Sequence, residues 1–210
     1  MKILLIEDRV EKRQQKLLKK YETNLDEYED ILKQVEKEEE LQEENLSNYN
    51  MIICHKTAFD GNFTNVIKDN ALKNKIPLVF FSGEIDNSSY QNIDYEFCQV
   101  NDELFYKNIK LFLDDVKNDN LNVLILSYGK LWKLNILCNV LEKLNILIEK
   151  NRDEKFIDYG DVTLKINFDS ISKVYDHYYQ VVIEDDETTI EELLKLKDDL
   201  SNTIRKFVNE

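Results

Sequence analysis

Glu7 and Asp8, His55, Ser82 and Gln99 are the residues whose types and positions could do chemistry, because each stands at or near the end of a short apolar run. Adjacent carboxylates can hold a hard divalent cation, an imidazole can carry a proton near neutral pH, and a hydroxyl can attack or donate. If the runs are parallel strands, the four positions share one edge of a sheet, the edge at the strands' carboxyl ends where ligands bind in open α/β folds.

The elements needed to position them are legible. Residues 3–6 form an almost wholly apolar run that stops at the two acids, as a parallel strand covered on both faces does. Residues 9–21 carry Val10, Leu17, Leu18 and Tyr21 at near-helical spacing, 30–35 can supply a brief second strand, and 36–46 reads as a polar helix. Runs at 51–54 and 78–81 flank a helical pattern at 63–72, which is strand, helix, strand at crossover length. A fifth strand is expected at 96–100. A helix follows at 102–116, with Leu104, Phe105, Ile109, Phe112, Leu113 and Val116 on one face. This alternation predicts an α/β domain over residues 1–117 built on a five-stranded, doubly wound parallel sheet.

After the polar break at 117–120, residues 119–210 are expected to form a smaller α+β part of unknown type. A strand at 123–127, a turn near Gly129 and a helix over 131–150 are predicted, with one uninterrupted helix as the alternative. A hairpin at 156–168, a strand at 178–184 and an amphipathic closing helix at 190–208 complete it. Residues 121–148 hold sixteen large apolar side chains, more than one buried helix face hides, so a homodimer is expected.

Composition narrows the function. The net charge of −14 repels a polyanion, so no nucleic-acid partner is expected. Much of that charge lies in residues 22–44, where eleven acids face only Lys33 and Lys37: a solvated face, or a docking surface for a basic partner. Four glycines and one proline leave no glycine-rich phosphate loop and no dinucleotide fingerprint, and no cofactor is expected. Three cysteines in apolar runs read as buried free thiols in a reducing compartment. No stretch reads as a signal peptide or membrane span, which places the protein in the cytoplasm with no membrane partner.

Ile3-Leu4-Leu5-Ile6-Glu7-Asp8 and Ile76-Pro77-Leu78-Val79-Phe80-Phe81-Ser82-Gly83 resemble the first and fourth strands of the receiver domain of two-component response regulators, with its acidic pair and its terminal hydroxyl residue. Asn50-Met51-Ile52-Ile53-Cys54-His55 is similar to the third strand and Phe97-Cys98-Gln99-Val100 to the fifth; Asp60-Gly61 echoes the Asp-Gly that follows the third. The resemblance covers residues 1 to about 117 and implies a receiver or flavodoxin-like fold. It also implies that His55 stands where the family carries its phosphorylatable aspartate, and Gln99 where it carries a lysine.

Phosphoryl transfer to such a domain needs a carboxylate nucleophile, a cation held by three carboxylates and a lysine to neutralise the phosphoryl oxygens. Glu7 and Asp8 alone, without a third oxygen ligand, fall short of a Mg²⁺ or Ca²⁺ site. His55 beside two carboxylates is expected to favour its protonated form and fill the site as an internal cation. His177, in an aromatic cluster, is expected to pack rather than ligate. The expectation is a non-catalytic, phosphorylation-independent regulatory or protein-interaction module with an unidentified protein partner. The alternatives are a metal-assisted phosphohydrolase using Glu7 and Asp8, and a response-regulator-like transcription factor; against the latter, 119–210 shows no basic stripe.

Overall fold

The computed structural model describes residues 1–59, 61–92 and 95–132, with positions 134, 135, 138, 141, 142, 145, 194, 195, 197–202 and 205. Ile3–Ile6 (β1) is apolar at every position and buried on both faces, which a central parallel strand requires. Leu32–Val35 (β2) is buried only at its ends, Leu32 and Val35, with Lys33 exposed and Gln34 half-buried between them, as suits an edge. Met51–His55 (β3) and Leu78–Ser82 (β4) are buried throughout. Ser89–Asn92 (β5) and Glu96–Asn101 (β6) complete a sheet ordered β2-β1-β3-β4-β6-β5. Five strands are parallel, and β5 pairs antiparallel with β6 at the far edge. The expected five-stranded, all-parallel sheet is therefore corrected to a mostly parallel one of six. The added strand is polar, a ladder-held edge with little burial pattern to betray it.

Helices cover both faces, the layering of a doubly wound α/β domain. A π-helical turn, Val10–Gln14, runs into Gln15–Lys20 (α1). Glu38–Gln42 (α2) is shorter than the helix predicted at 36–46, which gives way to a separate 3₁₀ turn at Leu46–Asn48. Gly61–Asn74 (α3) shares an apolar layer with Leu4, Ile6, Cys54 and Phe80 through Ile67 and Ala71. On the other face lies Asp102–Lys117 (α4), capped by the Asn101 side chain, which accepts from the Glu103 amide. Its Phe105, Ile109, Phe112, Leu113 and Val116 are all buried, at about 1.5–3 kcal/mol each. Phe105 stacks on Phe81 of β4, with centroids 4.1 Å apart.

Two compact units divide the chain, Met1–Lys130 and Leu131–Glu210. The strand predicted at 123–127 is instead a short helix, Leu124–Tyr128 (α5), packed on α4 within the first unit. An apolar run of that length has no period that separates strand from helix, and burial against α4 decides for helix. Gly129 ends it at φ 64°, with Asn108 so near that an added Cβ would meet its Oδ1 at 3.0 Å. The described positions of the second unit between 134–145 and 194–205 are helical. The hairpin at 156–168, the strand at 178–184 and His177 lie outside the described residues. Among the described residues no helix is long and apolar enough to cross a membrane.

Candidate functional site

The parallel register lines up the predicted site residues. Ile6 lies beside Cys54 and His55 beside Phe81, so Glu7, one residue past β1, continues the row that contains His55. The Glu7 amide donates to Val35 O at 3.0 Å, extending the ladder to β2. Side chains alternate across a strand, so neighbours in the sequence diverge. Glu7 turns under α4 and is 2% exposed, whereas Asp8 is exposed.

Glu7 has two donors. The Arg9 amide reaches Oε1 at 2.9 Å and the Tyr106 hydroxyl reaches Oε2 at 2.9 Å. Burial nevertheless dominates and raises its pKa above the ordinary carboxylate value, against the two hydrogen bonds. Asp8 Oδ2 accepts from the Phe59 amide at 3.1 Å, which ties the acidic pair to the loop after β3.

His55 is 2% exposed, with its ring edge-on to Phe81 at 5.3 Å between centroids. A turn closed by the Ala58 amide on His55 O folds Thr57 back over the ring, placing the Thr57 hydroxyl 3.3 Å and its amide 3.4 Å from Nδ1. The expectation of a protonated imidazole is corrected. Burial lowers the His55 pKa, Arg9 lowers it further, and the attractions of Asp8 and Asp102 do not compensate. The internal cations come from the arginines of the first helical segment instead. Arg9 Nη2 donates to Thr57 Oγ1 at 2.8 Å, and Arg13 pairs with Asp102, a buried carboxylate in the first turn of α4. The Arg13 guanidinium lies on Gly83, where an added Cβ would sit 2.5 Å from Nη2.

Ser82 is buried at the end of β4, and its bonds are local: Oγ accepts from the Glu84 amide at 3.3 Å and its carbonyl from the Ile85 amide at 3.2 Å. Gln99 lies opposite Phe80, two residues before the end of β6, while Asn101 is the residue beside Ser82. The structure thus brings together Glu7, Asp8 and His55, each offering a ligand atom within 4.8 Å of the others. It adds Arg9, Arg13, Thr57, Asp102 and Tyr106, which sequence reasoning passed over. Arg9 and Arg13, four residues apart and directly after the acidic pair, were the one available signal. Asp102 and Tyr106 were legible only as helix residues.

The group can anchor a cation through its acids and ring nitrogen, or hold itself together through its own ion pair and hydrogen bonds. Comparison with protein-family models, with curated proteins and with solved structures finds no match to this chain.

Proposed function

We propose that the protein is a non-catalytic regulatory or protein-interaction module of receiver-like type that works without phosphorylation. One observation carries this reading. The third parallel strand ends in a buried imidazole rather than a carboxylate, and the Arg13 guanidinium is already paired with Asp102. A site arranged in this way lacks the carboxylate acceptor that phosphoryl transfer requires. The acidic stretch at 22–44 supports a partner with a basic surface. Residues 119–210 add self-association in this reading, and the working form is a two-fold dimer in the cytoplasm.

The test is incubation of the full chain with acetyl phosphate and Mg²⁺ followed by intact-mass measurement. The mass stays unchanged, and His55→Asp alone does not restore labelling; a stoichiometric adduct on the native chain overturns the reading. Light scattering gives a mass of two chains, and a monomer removes the dimer from it.

A further inference from the structure

We propose that Glu7, Asp8 and His55 form a binding site for a borderline first-row divalent cation, Zn²⁺ being the representative ion, and not for Mg²⁺ or Ca²⁺. Two carboxylates without a third oxygen make a poor site for a hard ion. The fold supplies a third ligand, but it is a nitrogen. All three side chains present a ligand atom within 4.8 Å of one another, from two adjacent strand ends. Imidazole suits zinc, nickel, copper and iron, whereas Mg²⁺ and Ca²⁺ select all-oxygen shells, so replacing one carboxylate by His55 changes which ion fits.

Three further observations bear on the site. Its frame is partly built: Glu7 is oriented by Tyr106 and the Arg9 amide, and the His55 ring by Thr57, whose amide donates to Nδ1 at 3.4 Å and whose hydroxyl lies 3.3 Å from it. Arg13 is neutralised by Asp102, so of the two arginine charges only that of Arg9, which donates to Thr57, stands against the carboxylates of Glu7 and Asp8. Finally, Asp102, whose charge acts on the His55 ring, has a buried Oδ1 with no hydrogen-bond partner. A three-ligand ion keeps open positions for water, and such water can serve buried polar groups. Ligand atoms about 2.0–2.2 Å from a common ion lie closer together than 4.8 Å, so the site must contract. Exposed Asp8 is the member that moves, at the expense of its bond from the Phe59 amide.

The experiment titrates the metal-free full chain with Zn²⁺ and separately with Mg²⁺ by calorimetry, and records the visible spectrum with Co²⁺. One Zn²⁺ binds per chain, at least ~100-fold tighter than Mg²⁺. Asp8→Asn changes an exposed residue, leaves the fold intact and weakens Zn²⁺ by ~10-fold or more. His55→Gln also weakens Zn²⁺ and abolishes the Co²⁺ bands, while His55→Asp shifts the preference toward Mg²⁺. Absence of Zn²⁺ binding, equal affinity for Mg²⁺, or Zn²⁺ binding unchanged in both Asp8→Asn and His55→Gln each overturns the proposal. Zn²⁺ binding and acetyl phosphate labelling are separate readouts, so this site and the module reading fail independently.

Discussion

The Tyr106 hydroxyl donates to Glu7 Oε2 at 2.9 Å, joining α4 to the first strand across 99 residues of sequence. Both side chains are buried, Tyr106 to 1% exposure. The bond therefore sits where an unpaired partner is costly, and it holds the helix over the carboxyl ends of the strands.

Tyr106→Phe removes that donor and leaves Glu7 with the Arg9 amide alone. The loss is about 1–3 kcal/mol, the cost of stranding a buried acceptor, measured as a shift in the urea midpoint with the slope unchanged. Glu7 adds a pH signature. Its folded pKa is raised, so the folded state holds the proton longer than the unfolded one, and the associated stability is lost as pH rises from 4.5 through the folded value. Relative to Glu7→Gln, the native chain should lose stability over that interval. A difference that is flat with pH would mean that Glu7 is solvated.

His55 has the opposite slope. Its folded pKa is lowered, so the unfolded state binds the extra proton first, and stability falls as pH drops below 6.5 toward the folded value. Burial leads, Arg9 and Arg13 act in the same direction, and the opposing charges of Asp8 and Asp102 do not compensate. Melting temperatures of the native chain and of His55→Gln, compared from pH 7.5 down to 5, should show the native chain alone losing this increment. Taking the difference between the two removes the Glu7 contribution.

Arg13→Ala leaves the Asp102 carboxylate buried and unpaired. Breaking a buried pair costs about 3–5 kcal/mol, but Arg13 is 49% exposed at its side chain, and water can follow it in. About 1–3 kcal/mol is expected. In a double-mutant cycle with Asp102→Ala, the combined loss should be smaller than the sum of the two single losses; additivity would show that the pair does not interact.

The sheet's parallel core and the α3 and α4 helices were readable from sequence because their signals are local. Four apolar residues in a row at Ile3–Ile6, or the i, i+4, i+7 spacing of Phe105, Ile109 and Phe112, record burial within one window. Ser89–Asn92 left no such mark, since a polar edge strand is held by backbone bonds to β6. Leu124–Tyr128 left an ambiguous one, since only packing on α4 separated helix from strand.

At the candidate site the division is sharper. Residue type and strand-end position placed Glu7, Asp8 and His55 at one edge without any structure. Only the tertiary structure decided that Glu7 is buried and Asp8 exposed, that His55 is driven toward its neutral form, and that Arg13 finds Asp102 and Glu7 finds Tyr106. The reason is physical: ionisation and pairing depend on desolvation and on charges a few ångströms away. Those neighbours come from segments far apart in the chain, whose approach no local pattern encodes.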